Sequence, residues 1–225
     1  MSTETDAQLA TRLAAVAGEL LVKLRTQLLE HGAPAWQLMD AGDLASHRFL
    51  LAELQSARPH DAVLSEEGVE DPRRFETDRV WIVDPLDGTN EYGEPGRGDW
   101  AVHVALWAEG RLSAGAVSLP AMNLIFATEP APIVPAQRHA RPRLVTSRNR
   151  NPHSAVIIAN ALEADAVRLG SAGAKAMAVV VGDADIYVHD GGMYQWDSAA
   201  PAAVAQAAGL HVSRIDGSPM VFNER

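Results

Sequence analysis

The sequence predicts a mixed α-β (α+β) fold. Three observations carry this prediction: apolar residues at helical spacing near the N-terminus, a central series of short apolar strands separated by turn residues, and alternating helical and strand patterns after about residue 144. The length of 225 residues is enough to bury a substantial core without requiring two domains. We therefore expect residues 1–225 to form a single unit.

Two helices are expected first. Thr5 and Gln8 form a capping-box pattern that begins the first helix, and Gly32 followed by Pro34 ends it. The spacing of apolar residues predicts the second helix from about Asp43 to Ala57.

Short apolar strands follow, and the first two run directly into acidic residues. The strand at 62–64 leads to Glu66, and the strand at 80–83 leads to Asp84. Three further strands are expected to form an antiparallel meander with a hairpin turn at Glu109-Gly110. They are placed at 101–107, 112–119 and 123–128.

Residues 129–143 contain four prolines and three arginines without periodicity, which is typical of an exposed loop. This loop separates an N-terminal α+β half, about 1–128, from a C-terminal α/β half, about 144–225. In the second half the patterns predict strands and helices in alternation. The strands are placed at 144–146 and 185–188, and the helices at 152–162, 172–181 and 198–208.

Composition excludes several classes of protein. A formal net charge of -10 disfavours a nucleic-acid binder, which would need a basic face. The chain has no cysteine, so thiolate chemistry and disulfides are excluded. It shows no long apolar run and no N-terminal export signal, so we expect no membrane association and a cytoplasmic location.

The chemistry concentrates in the hexapeptide Asp84-Pro85-Leu86-Asp87-Gly88-Thr89. Its two carboxylates are spaced so that both can turn toward one point, and oxygen ligands of this kind suit Mg²⁺. Gly88 allows a phosphate to approach the backbone closely. The alternative is that Asp and Gly occur here only as turn residues, and the hexapeptide alone does not decide between the two.

Two further acids favour the metal site. Glu66 follows the neighbouring strand, and two acidic strand ends that meet in one sheet repel each other unless a cation joins them. Asp197 precedes the alanine-rich helix, where it is expected to act as the N-cap, a role that leaves a carboxylate oxygen free for a metal.

Three motifs in this order resemble the inositol-monophosphatase family of lithium-sensitive, Mg²⁺-dependent phosphatases. They are Ser65-Glu66-Glu67-Gly68, residues 81–89 and Trp196-Asp197-Ser198-Ala199-Ala200. The resemblance implies a layered α-β-α-β-α sandwich with the metal site where the two halves meet. It also implies two or three Mg²⁺ ions, held by Glu66, Asp84 and the Leu86 carbonyl, and by Asp84, Asp87 and Asp197, with Asp84 bridging.

The same resemblance implies in-line attack of a metal-activated water on a small phosphate ester. Thr89 paired with Asp43 would orient and deprotonate this water. The amides of Gly88 and Thr89 would hold the phosphoryl oxygens.

Three residues resemble one particular branch of this family. Glu91 and Tyr92 after the hexapeptide, and Lys175, resemble the branch that includes the actinobacterial CysQ-type 3′(2′),5′-bisphosphate nucleotidases. The implied reaction is hydrolysis of 3′-phosphoadenosine 5′-phosphate to AMP in sulfur assimilation. Candidate contacts to the remote phosphate, sugar or base, beside Asp197 at the metal site, are Ser147, Arg148, Ser171 and Lys175, with Arg97 as a weaker one.

Two alternatives stay open from the sequence. The same metal core serves enzymes that act on inositol phosphates or fructose 1,6-bisphosphate. A non-catalytic protein that binds Mg²⁺ and a nucleotide is the second, since Gln195 stands where many relatives carry an acid. The sequence is compatible with a homodimer but contains nothing that separates a dimer face from ordinary surface.

Overall fold

The computed structural model describes residues 4–136, 139–150 and 152–224. Six α-helices lie within these ranges, at Asp6–Glu30 (α1), Ala35–Ala57 (α2), Thr89–Gly93 (α3), His153–Ala161 (α4), Ala172–Val180 (α5) and Gln195–Ala207 (α6). The strands are Ala62–Ser65 (β1), Arg79–Asp87 (β2), Ala101–Ala108 (β3), Arg111–Leu119 (β4), Leu124–Ala127 (β5), Arg143–Ser147 (β6), Asp165–Leu169 (β7) and Ile186–Tyr187 (β8).

The strands form two sheets. The larger has the order β1-β2-β3-β4-β5, in which β1 and β2 are parallel and the other pairs antiparallel. The predicted meander is thus confirmed, and its hairpin turn has positive φ at Glu109 and Gly110. The smaller sheet has the order β7-β6-β8, with all strands parallel.

Helices cover both faces of each sheet, and the helices and sheets together form five layers. Helices α1 and α2 cover one face of the larger sheet, where Trp81 and Val104 point, and α5 and α6 cover the other, where Ile82 and Ala105 point. The smaller sheet packs on the far side of α5, and α4 covers its outer face. This is the layered α-β-α-β-α order implied by the resemblance.

Helix α1 has the predicted capping box between Thr5 and Gln8, but α2 differs from its prediction. It begins at Ala35 rather than Asp43, with Pro34 in extended conformation as N-cap. Exposure of Trp36 hides the helical apolar pattern of this first part, although Leu38 is buried there. Asp43 therefore lies in the middle of α2.

Strand β7 was not predicted. Its sequence Asp-Ala-Val-Arg-Leu mixes charged and apolar residues, and it lies at an edge of the smaller sheet with Asp165 and Arg168 exposed. An edge strand buries little surface, so its apolar signal is weak. No helix within the described ranges is long and apolar enough to cross a membrane.

A buried carboxylate lies at the centre of an ion-pair network among the first two helices and the first two strands. Asp61, which precedes β1 and is 9% exposed, accepts hydrogen bonds from Trp81 Nε1 at 2.9 Å and from Arg79 Nε at 3.0 Å. Arg79 also pairs with Asp6 at 3.0 Å, and Asp6 pairs with Arg58 at 2.8 Å. The network thus connects α1, α2, β1 and β2.

Asp61→Ala is expected to lower the free energy of unfolding by about 3 kcal/mol, because it leaves the buried Trp81 indole N–H without its acceptor and removes one of the two carboxylate partners of Arg79. Urea denaturation measures the change. Glu53→Ala, which removes an exposed partner of Arg12, is the control and should cost less than about 1 kcal/mol. Equal effects of the two variants would contradict a special role for the Asp61 network.

Candidate active site

The acidic residues of the site lie at one edge of the larger sheet. β1 and β2 run parallel with Ser65 opposite Val83, so Glu66 and Asp84 follow side by side. Contrary to prediction, β2 does not end at Val83 but continues to Asp87, with a shift of register between Asp84 and Asp87. Pro85 cannot donate to the strand ladder, which explains the irregularity.

Three carboxylates converge here. One oxygen from each of Asp84, Asp87 and Asp197 lies within 4.8 Å of the others. Asp84 is 1% exposed, and its Oδ2 atom is buried without a hydrogen-bond donor in the described part of the chain. Glu66 stands outside this group of three, at an exposed position, but lines the same cavity.

Electrostatics make this cluster unfavourable without a cation. Burial, and then the charges of Asp87, Glu66 and Asp197, raise the pKa of Asp84 well above its usual range. Removal of the Glu66 carboxylate from water, with the charges of Asp197 and Glu67, raises the pKa of Glu66 to about 7. A buried carboxylate oxygen without a donor, surrounded by oxygen ligands, fits a hard divalent cation.

Asp87 is held as an anion. Although burial opposes ionisation, the neighbouring His103 and Lys175 and a hydrogen bond from Ser171 lower the pKa of Asp87. Its Oδ2 atom accepts from Ser171 Oγ at 2.5 Å and from the Gly173 amide at 2.7 Å, and lies 3.2 Å from His103 Nε2. The Ser171 hydroxyl, predicted to contact substrate, thus contacts a proposed metal ligand instead.

Asp197 is not the N-cap of α6, as the sequence suggested. The cap is Tyr194, and Asp197 is the third residue of the helix, where its Oδ2 accepts from the Tyr194 amide at 2.7 Å. Helix α6 begins three residues earlier than predicted, and a carboxylate at this position completes a capping box. His103 Nδ1 lies 3.2 Å from the Trp196 carbonyl, so one buried imidazole contacts the segments that carry Asp87 and Asp197.

Thr89 lines the cavity and lies close to Asp43 of α2. Gly88 has φ of +88°, and a Cβ atom there would lie 3.0 Å from Ser171 Cβ, so glycine is required for this turn. Thr89 Oγ1 donates to the Leu86 carbonyl at 3.1 Å and lies 3.4 Å from Asp43 Oδ1. Burial, with the charges of Glu66 and Glu67, raises the pKa of Asp43 to about 7.

Comparison with known proteins identifies the family to which this arrangement belongs. The family model described as the inositol monophosphatase family matches residues 2–225. The chain belongs to the inositol monophosphatase family. This confirms the resemblance carried by the three sequence motifs.

Several individual members of the inositol monophosphatase family are similar to this chain over most of its length. A Mycobacterium leprae protein named 3′-phosphoadenosine 5′-phosphate phosphatase is 47% identical over 98% of this chain and 85% of its own length. The Escherichia coli K12 3′(2′),5′-bisphosphate nucleotidase CysQ is 32% identical over 82% of this chain and 79% of its own. The crystal structure of Bacteroides thetaiotaomicron CysQ superposes with a TM-score of 0.81 at 24% identity, covering 98% of this chain and 93% of that one.

Of the residues that resemble the nucleotidase branch of the family, Glu91 and Lys175 line the cavity and Tyr92 lies in the core. Glu91 is 2% exposed and accepts hydrogen bonds from Arg148 and Asn149. Tyr92 donates its hydroxyl hydrogen to the Leu21 carbonyl in the core. Lys175 is 3% exposed and donates through Nζ to the backbone carbonyls of residues 170 and 171, and burial lowers its pKa. These side chains shape the site.

Among the other predicted contacts, Ser147 lines the cavity and accepts from the Arg150 amide at 3.2 Å. Arg148 pairs with Glu91 at 2.7 Å. Arg97 pairs with Asp99, whose carboxylate also accepts from the Gly170 amide.

Sequence reasoning missed several polar side chains of the cavity. Tyr187 and His189 line it, and the Tyr187 hydroxyl and His189 Nε2 are buried without a hydrogen-bond partner in the described ranges. Arg150 lines the same end. No periodic pattern in the sequence predicts that these residues line the cavity. Strand β8 is only two residues long, and the residues of the loop after it follow no repeating pattern.

Proposed function

We propose that this protein is a Mg²⁺-dependent phosphatase that hydrolyses 3′-phosphoadenosine 5′-phosphate to AMP and phosphate. The observation that carries the proposal is the buried cluster of Asp84, Asp87 and Asp197 beside the Thr89-Asp43 pair. The mycobacterial relative named for this substrate supports the choice of nucleotide. The reaction would be carried out by residues 1–225 as one unit.

The proposed Mg²⁺ ligands are oxygen atoms only, as this cation prefers. They are the carboxylates of Glu66, Asp84, Asp87 and Asp197 and the carbonyl of Leu86. Bound Mg²⁺ would neutralise charge on the phosphoryl group and lower the pKa of water at the site. The lone pairs that Thr89 leaves unused on the Leu86 carbonyl permit this ligand assignment.

The reacting groups of the chain are placed for proton transfer and for binding two phosphates. Asp43 Oδ1 can accept a proton delivered through Thr89 Oγ1, and a carboxyl with a pKa of about 7 is suited to act as base near neutral pH. We propose that the amides of Gly88 and Thr89 orient the phosphoryl group that is cleaved.

The second phosphate would lie at the part of the cavity wall that Lys175, Arg150, Tyr187 and His189 form. Lys175 and Arg150 provide positive charge there, and the unpartnered Tyr187 hydroxyl and His189 Nε2 provide polar contacts. An inositol monophosphate would leave these groups without a partner. These groups therefore favour a bisphosphate.

A side-by-side assay tests the proposal. Phosphate release from 3′-phosphoadenosine 5′-phosphate should require Mg²⁺, be inhibited by Li⁺, and exceed in kcat/KM the release from inositol 1-phosphate and fructose 1,6-bisphosphate by at least about tenfold, the equivalent of one well-formed polar contact. A higher kcat/KM for inositol 1-phosphate would overturn the substrate assignment. No release from any of the three would favour a non-catalytic binding protein.

A further inference from the structure

A second cavity, of about 510 Å³, opens beside the metal-site cavity. It lies between the start of α2 and the end of α3, and we call it the side cavity. Asn90 and Asn149 line both cavities, so the two cavities are adjacent. The rest of its wall consists of Ala35, Met39, Gly93, Glu94, Pro95 and Arg148.

The wall of the side cavity combines apolar surface with one planar cation. Met39 and Pro95 offer apolar contacts, and the Arg148 side chain is 25% exposed. Arg148 Nε donates to Glu91 Oε1 at 2.7 Å, and Arg148 Nη2 donates to Glu94 Oε2 at 2.5 Å. Two carboxylates therefore fix the plane of the guanidinium and offset its charge.

The position of the Glu91 carboxylate is set by its contacts with residues 149 and 170. A Cβ atom on Gly170 would lie 2.0 Å from Glu91 Cδ, so the absence of a side chain at residue 170 makes room for this carboxylate. Asn149 Nδ2 donates to the same Glu91 oxygen at 2.9 Å. The orientation of Arg148 is thus a consequence of contacts between the two halves of the chain.

This pairing makes Arg148 a poor phosphate ligand, because a phosphate would have to displace two carboxylates that already balance the guanidinium. A planar guanidinium whose edge is engaged still offers its face to an aromatic ring. The amides of Asn90 and Asn149 at the junction carry both donors and acceptors, as the edge of a heterocycle requires.

We infer that the side cavity binds the heterocyclic base of the nucleotide, stacked on the guanidinium of Arg148. This inference rests on the proposed function, in which one phosphate lies at the carboxylate cluster and the other near Lys175 and Arg150. The base branches from the sugar between the two phosphates. Asn90 and Asn149 line both cavities, and the base would leave the metal-site cavity beside them.

Arg148→Lys tests the stacking, since lysine keeps the positive charge but lacks the plane. The substrates are 3′-phosphoadenosine 5′-phosphate and the ribose bisphosphate that has the same phosphates without the base. The ratio of kcat/KM for the nucleotide to that for the base-free compound should fall about tenfold in the variant, in keeping with the strength of a cation–base stack. An unchanged ratio, including equal losses on both compounds, would overturn the inference.

Filling the side cavity gives a second test that leaves Arg148 intact. Ala35 is exposed in the first turn of α2 and lines the cavity, whereas Gln37 is exposed in the same turn and does not. Ala35→Leu should raise KM for the nucleotide several-fold without changing it for the base-free compound, in line with partial loss of a stacked contact. Gln37→Leu should leave both KM values within about twofold. Equal effects of the two leucines would contradict the assignment.

Binding measurements separate this inference from the proposed reaction. By calorimetry in Mg²⁺, AMP should bind the wild-type protein at least about fivefold more tightly than ribose 5-phosphate, and Arg148→Lys should remove the difference. This result can be obtained even if the protein hydrolyses neither compound. Equal affinity of the wild type for AMP and ribose 5-phosphate would contradict the base site. It would not contradict the proposed phosphatase activity.

Discussion

Asp84→Asn is expected to lower kcat/KM by at least about 1,000-fold, because the proposed bridging ligand supplies several kcal/mol of stabilisation through the cation it holds. Asparagine keeps the shape of the side chain and one oxygen but removes the negative charge. The buried Oδ2 atom that has no donor in the described structure is the atom that is lost. Phosphate release at saturating Mg²⁺ measures the change.

The same variant should make the metal-free protein more stable at neutral pH. The folded-state pKa of Asp84 is raised, so the wild type loses stability as pH rises above the unfolded-state value near 4. Glu66 and Asp43, with pKa values of about 7, add to this loss. The stability difference between Asp84→Asn and wild type should therefore be near zero at pH 4 and grow toward pH 7.

Thermal unfolding with and without Mg²⁺ completes this test. Mg²⁺ should raise the melting temperature of the wild type and have little effect on Asp84→Asn, since only a ligand that binds the folded state stabilises it. Asp78→Asn removes the same charge next to the opposite end of β2 and serves as the control, with normal activity and a normal response to Mg²⁺. If Asp84→Asn kept its response to Mg²⁺, the assignment of the cation to this cluster would be wrong.

The central features of the site were predictable because they depend on short segments. The hexapeptide from Asp84 to Thr89 lies at the end of one strand, and the parallel pairing of β1 with β2 is enough to bring Glu66 beside it. These contacts need only local sequence and one strand pairing. The order of layers likewise follows from elements whose apolar patterns are strong.

The residues that support the site were not predictable from local sequence. Ser171 and Asp87 are separated by 84 positions, and Arg148 and Glu91 by 57. Whether such a polar side chain faces a substrate or another protein group depends on how α5 and β6 pack against the larger sheet. Arg148 illustrates this, since its charge suggested phosphate and the structure gives it two carboxylate partners.

Asp43→Asn is the second variant with a large expected effect, a loss of about 100- to 10,000-fold in kcat/KM, which is the range for removal of a general base. Asp43 accepts a proton only when ionised, so the wild-type activity should fall as pH decreases through the pKa of this carboxyl. That pKa is about 7 without metal, and a nearby cation lowers it. The acidic fall should be weaker in the pH profile of Asp43→Asn than in that of the wild type, where both Asp43 and Glu66 titrate.

Asp40→Asn is the matched control for charge, because Asp40 is an exposed acid three residues earlier in α2. Its kcat/KM should stay within about threefold of wild type, as expected for a surface substitution. A loss comparable to that of Asp43→Asn would mean that the general acidity of the cavity matters more than proton transfer at one carboxyl.

A double-mutant cycle with Thr89→Val decides whether Asp43 and Thr89 act together. The 3.4 Å separation of Thr89 Oγ1 from Asp43 Oδ1 places both groups on one proton path. If they act as a unit, Asp43→Asn and Thr89→Val should each cause a large loss, and the double variant should be little worse than the more damaged single variant. Additive losses would show two independent roles, with Thr89 acting through its bond to the Leu86 carbonyl and Asp43 through the charge of the cavity. The cycle therefore tests a contact that metal ligation alone does not require.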